Sequence, residues 1–249
     1  MPESDLLAVH RHWHWRLFTI VAIACPLFVV LTTVAMFLYP GGTFPIAATR
    51  GYLFFVNYFS DLGQTRTQSG ALNYPAMVLF TSAVLIVAMA LAAFFLAFSS
   101  FFKTKATAPL PLRLNRIATR CGLASAACFI GIAAIPENLF AAGHFLCVEG
   151  AFNLLLVAIV LEIAALRKTP EISSWLLIVN GAFVVVLFSY VLLLIFGPSS
   201  KTLIGDEINA VGQKIVVYVA IATILASALI ARAHRPRPAA VTKTVSLGS

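Results

Sequence analysis

The stretch LFTIVAIACPLFVVLTTVAMFL, Leu17 to Leu38, runs for 22 residues without a charged side chain. A helix rises ~1.5 Å per residue, so ~20 apolar residues cross a hydrocarbon layer ~30 Å thick. This run is too long for the core of a signal peptide, and no convincing small-residue cleavage site follows it. It reads as a retained membrane span. Five further stretches meet the same criterion, giving expected spans over 17–39, 75–101, 117–136, 144–166, 174–196 and 211–232. None alternates as a strand would, and backbone polar groups in lipid must bond within their own segment. The expected fold is therefore all-α, a polytopic bundle of six transmembrane helices.

Composition agrees. Of 249 residues, 61% are hydrophobic and 10% charged, against about 25% charged in an ordinary soluble domain. The length suits one bundle rather than two domains. A net charge of +8 suggests nucleic acid only until the cations are placed. Thirteen of the 17 Lys and Arg residues fall on one side. They are Arg11 and Arg16; Lys103, Lys105, Arg113, Arg116 and Arg120; Arg167 and Lys168; and Arg232, Arg235, Arg237 and Lys243. The other side holds Arg50, Arg66, Lys201 and Lys214. The positive-inside rule puts the richer side, with both termini, in the cytoplasm. The chain divides into a cytoplasmic amphipathic segment (1–16), a six-helix domain (17–232) with a long outer loop (40–73), and a tail (233–249) expected to be disordered. The expected setting is the plasma or bacterial inner membrane, with lipid as partner and no nucleic acid.

Local signals refine this picture. Trp13, Trp15 and Trp175 sit at span ends, as aromatic belts require. Pro75 suits a first helical turn, Pro136 and Pro198 follow helix ends, and Pro26 should bend the first span. Gly122, Ala126, Ala127 and Gly131 let a neighbouring helix approach the third closely. Cys25, Cys121, Cys128 and Cys147 lie in apolar stretches without Cys-x-x-Cys spacing and read as small packing residues. In the outer loop, the apolar stretch Tyr52 to Phe59 is expected to lie in the interface or dip back against the bundle as a short helix, delivering Asp61 to the membrane's outer edge.

Chemistry-bearing residues concentrate at that outer side. Asp61, Glu137, Asn138, His144 and Glu149, with Gln213 from the last helix, form a candidate polar pocket, and Asn153 shares a helix face with Glu149 four residues earlier. Such a set suits a cation, a lipid headgroup or an acid–base pair. The plain alternative is caps, loop polars and interhelical hydrogen bonds. Asp206 and Glu207 read as a solvated loop or a first-turn interaction with the helix dipole. His10 and His14, spaced to share a metal on a helix, read better as part of the amphipathic N-terminal segment. No serine-hydrolase, phosphate-loop or zinc-helix motif is present, and no cofactor is expected.

The segment Tyr58-Phe59-Ser60-Asp61-Leu62-Gly63-Gln64-Thr65, with Ile135-Pro136-Glu137, Ala142-Gly143-His144-Phe145 and Gly212-Gln213-Lys214, resembles the motifs of a large, mostly bacterial six-helix membrane family known as a domain of unknown function. That family is distantly similar to the damage-regulated autophagy modulator proteins. Asp61 stands where Glu is commoner, and Lys214 where Arg is usual. The resemblance spans roughly residues 15 to 232. It implies six helices, singles out Asp61, His144 and Gln213, and implies no reaction. Three functions stay open at this level. One is a binder of a lipid or small ligand. Another is an intramembrane hydrolase or transferase on a lipid, using His144 with Asp61 or Glu137. The third is a small proton- or cation-coupled transporter with Glu149 and Asn153 at its centre and Glu162 towards the cytoplasm.

Overall fold

The computed structural model describes residues 3–233 and is all-α. Its helices are α1 (Glu3–Leu38), α2 (Tyr74–Lys103), α3 (Pro109–Ala134), α4 (Ala141–Leu166), α5 (Ser174–Phe196) and α6 (Leu203–Ala233). All six are long and apolar enough to cross a membrane. The protein is a multi-pass integral membrane protein. Of the expected disordered tail 233–249, Ala233 closes α6 and the rest lies outside the described residues, as do the side chains of His10 and His12.

Each helix packs on the next, and α6 returns to α1 and α2, closing a ring. The connections 39–73, 135–140 and 197–202 share one end, because Thr65 bonds to Asn138 and Tyr58 to Ser200. We call it the loop end.

Two helices start earlier than hydropathy suggests. α3 begins at Pro109 rather than 117, and α6 at Leu203 rather than 211. The i→i−4 ladder is indifferent to side-chain polarity, so Arg113 and Arg116, or Asp206 and Asn209, prolong a helix without being apolar. Proline marks the starts of α2 and α3, where a missing N–H costs nothing.

Lipid gives no hydrophobic drive for helices to associate, so close contact must hold them. Phe94, Phe95, Phe98, Phe101 and Phe102 of α2 are all buried. They meet α1 through Phe18 and Trp15, whose ring centroids lie 6.4 Å from Phe94 and 6.1 Å from Phe101. Trp15 is thus a core residue rather than a belt anchor, whereas Trp13 and Trp175 are exposed. Glycines set the approach of α3. A Cβ on Gly122 would strike the Phe95 ring, and one on Gly131 would come within 2.5 Å of Cys147 Sγ. All four cysteines are free thiols.

Gly122→Val should therefore cost about 1–3 kcal/mol by overpacking, because Phe95 is wedged against Phe94 at 5.4 Å. Gly131→Ala should cost less, since a thiol can turn aside. Detergent melting temperatures test the ranking, and an unperturbed Gly122→Val would refute the tight contact.

Candidate functional site

Loop 39–73 folds into a cap over the loop end. It contains no helix over 52–59, contrary to expectation. Asn57 replaces that helix. Its Oδ1 accepts from Leu53 N (2.9 Å), while its Nδ2 donates to Gly42 O (2.9 Å) and to Asp61 Oδ2 (2.8 Å). A single buried amide thus organises a tight turn, and a 3-10 turn over Ser60–Gly63 follows. Gly42 sits at φ +96, in the left-handed region that favours glycine, and this orientation hands its carbonyl to Asn57. Asn73 closes the other side, its Nδ2 donating to Leu62 O (3.0 Å) and Gln64 O (2.9 Å).

The cap is fastened to the helices at several points. Gln213 Oε1 accepts from Phe59 N at 2.7 Å. Lys214 Nζ donates to Asn57 O and to Ala210 O (3.3 Å), with the Tyr52, Phe54 and Phe59 rings 5.4–5.8 Å away. Tyr58 Oη bonds Ser200 Oγ (3.0 Å), and Asn138 bonds Thr65 through both the backbone N–H and the hydroxyl.

Beneath the cap lies a chamber of about 510 Å³, well within the range of small-molecule sites. Asp61, Glu137, His144, Glu149 and Gln213 line it. Asn138 and Asn153 do not: Asn138 serves as the latch to Thr65, and Asn153 Nδ2 bonds Glu149 O at 2.8 Å on an exposed face. Asp206 joins the lining. It sits in the first turn of α6, as one of the expected alternatives had it, but only 1% exposed rather than solvated.

A second, apolar space of about 80 Å³ continues from the chamber into the bundle, between Phe28, Phe59, Leu91, Phe152, Leu155 and Ile224. Ser60, His144, Val148 and Gln213 line both spaces. A space lined largely by apolar side chains favours hydrocarbon over water.

His144 stands at the junction, 2% exposed. Its Nδ1 lies 2.7 Å from Ile135 O. A carbonyl only accepts, so Nδ1 carries the proton, and in the neutral form of the ring Nε2 then presents a lone pair. That Nε2 is buried without a protein partner. Neither ring nitrogen bonds a carboxylate, and among the described residues no His, Cys, Asp or Glu cluster could hold a metal.

Asp61 is buried, and removal from water pushes its carboxyl up from 3.8 to about 7. Hydrogen bonds from Asn57 and the Tyr58 amide oppose the rise, while the charge of Glu137 adds to it. The unfolded chain releases this proton near 3.8 and the folded protein near 7. Between those values the folded state holds the extra proton, so its stability falls as pH rises through the window. Melting temperature should drop from pH 5 to pH 8, and Asp61→Asn should flatten that slope. An unchanged slope in Asp61→Asn would assign the pH dependence elsewhere.

Reasoning from sequence overlooked Asn57, Lys214 and Asp206 as organisers of this end. Two signals were present: a lone asparagine within an aromatic stretch, and a lysine placed inside an apolar run. No protein-family model, curated protein or solved structure matches this chain.

Proposed function

We propose that the protein binds an amphipathic ligand, a membrane lipid or a small molecule of similar build. The ligand's polar head occupies the chamber, and the first carbons of its tail occupy the slot. The observation that carries this reading is the shared wall: Ser60, His144, Val148 and Gln213 face a polar space on one side and an apolar one on the other. Of the residues that resemble the six-helix family's motifs, Ser60, Asp61, Glu137, His144 and Gln213 line this one chamber; the resemblance itself rests on those motifs in the sequence. The cation distribution supports cytoplasmic termini and a chamber facing outward across the plasma or bacterial inner membrane.

A tail already in lipid gains little by moving into an apolar slot, so choice among amphiphiles rests on the head, while a tail with no room in the slot keeps its head out of the chamber. The hydrolytic reading has less support, because His144 is oriented by a backbone carbonyl and bonds no carboxylate. The transport reading meets an apolar slot between the chamber and Glu162, whose buried oxygens have no partner.

Native mass spectrometry of the protein purified in a neutral maltoside tests the proposal. Wild type should retain lipid, and Ala220→Leu, which fills the slot, should retain about tenfold less, equivalent to ~1.4 kcal/mol. Equal retention would remove the slot from the account. Externally added thiol reagent should fail to label a cysteine placed between residues 103 and 120 in intact cells; labelling there would invert the topology.

A further inference from the structure

We infer that the head recognised in the chamber is a primary ammonium group, carried on an amphiphile; this rests on the reading above. Four carboxyl groups, from Asp61, Glu137, Glu149 and Asp206, line the chamber. Among the described residues no lysine or arginine lines it. Lys214, next in sequence to the lining Gln213, is turned away, its ammonium held by the Asn57 and Ala210 carbonyls among three aromatic rings. A phosphate or carboxylate head entering this space would meet like charge without compensation.

A second observation, independent of the acidic residues, specifies a donor. His144 Nε2 is buried with no partner, and with Nδ1 pinned to Ile135 O the neutral ring offers a lone pair there. Asp206 Oδ1 is buried too and accepts no hydrogen bond of its own, while the Tyr58 hydroxyl interacts with its carboxyl. Leaving buried acceptors unmet is costly, and both are acceptors. A primary ammonium brings three N–H donors together with its charge. It can serve the imidazole and a carboxylate at once while its chain runs into the slot. A quaternary ammonium brings the charge but no donor, and an alcohol brings one donor without the charge. Selectivity for R–NH3+ over both is the distinguishing consequence.

The experiment uses the full chain in neutral maltoside at pH 8, where Asp61 is ionised. Isothermal titration compares dodecylamine, dodecyltrimethylammonium, dodecanol, dodecyl phosphate and the short propylamine. Dodecylamine should bind about tenfold or more tightly than every other probe. Glu149→Gln, altered at an exposed position where folding is not at stake, should narrow the gap between amine and alcohol, and Glu137→Gln should narrow it further. Equal binding of amine and alcohol, or a preference for the phosphate, overturns the ammonium assignment and leaves the amphiphile reading intact. Equal binding of the trimethylammonium probe overturns the donor argument. Propylamine binding as tightly as dodecylamine keeps the ammonium and removes the tail. Binding of none of the five overturns both readings.

Discussion

Lys214→Met is expected to lower the melting temperature of the detergent-solubilised protein by about 10 °C, estimated from ~3 kcal/mol and ~2–4 °C per kcal/mol at this chain length. Methionine nearly preserves the volume, so cavity formation contributes little. What disappears is an ammonium that ties α6 to the cap through Asn57 O, is seated on Ala210 O, and lies 5.4–5.8 Å from three ring centroids. A hydrogen bond from a charged donor contributes ~1.5–3 kcal/mol, and a desolvated cation–π contact up to ~2. Burying a cation has its own cost, and methionine relieves it, which is why the net figure falls below the sum. The carboxyls of Asp61 and Asp206, which sense this cation, lose its field as well. Limited proteolysis should then cut loop 40–73 before any helix. A melting temperature within 2 °C of wild type, with the loop still protected, would mean that the lysine is a passenger.

Asn57→Ala should be comparably damaging, about 3–5 kcal/mol by the cost of buried groups left unsatisfied. The residue is fully buried, and its amide uses one acceptor and two donor bonds to hold Leu53, Gly42 and Asp61. Gly42 O retains a bond from Tyr39 Oη at 3.1 Å, and Asp61 Oδ2 keeps the Tyr58 amide at 3.0 Å. Leu53 N keeps nothing comparable, and the turn it closes loses its organiser. Asn57→Asp is isosteric and more telling. It sets a second carboxyl 2.8 Å from Asp61, where two charges cannot coexist and one proton must be shared. Its loss of stability should deepen as pH rises above neutrality, and more steeply than that of Asn57→Ala, which only removes the amide bond that opposes the rise of the Asp61 carboxyl. Combining Asn57→Ala with Lys214→Met should cost less than the two separately, since both release the same cap. Strict additivity would place the residues in independent units.

The helix count, the rough spans, the close approach at Gly122 and the lopsided cation distribution are legible in the residues alone. Their physical basis is local: a hydrocarbon layer demands a minimum apolar length, and side-chain volume is the same in any context. The true starts of α3 and α6 escaped because hydropathy reports solvent preference, whereas a helix is defined by backbone bonds. Asp61, Glu137, His144, Glu149 and Gln213 stand out in the sequence as polar groups at one end, but spacing in sequence says nothing of convergence across two loops, α4 and α6. Asn138 and Asn153, equally polar and equally near, face elsewhere. Lys214 shows the limit most clearly. It neighbours Gln213 in sequence, yet one residue on a helix is a turn of ~100°, enough to put glutamine in the chamber wall and lysine behind the cap. The order in which the chain crosses the bilayer thus belongs to the sequence, since lipid acts on each segment separately. Which buried groups share a cavity belongs to the tertiary structure, because only the packed ring of helices brings them within reach of one ligand.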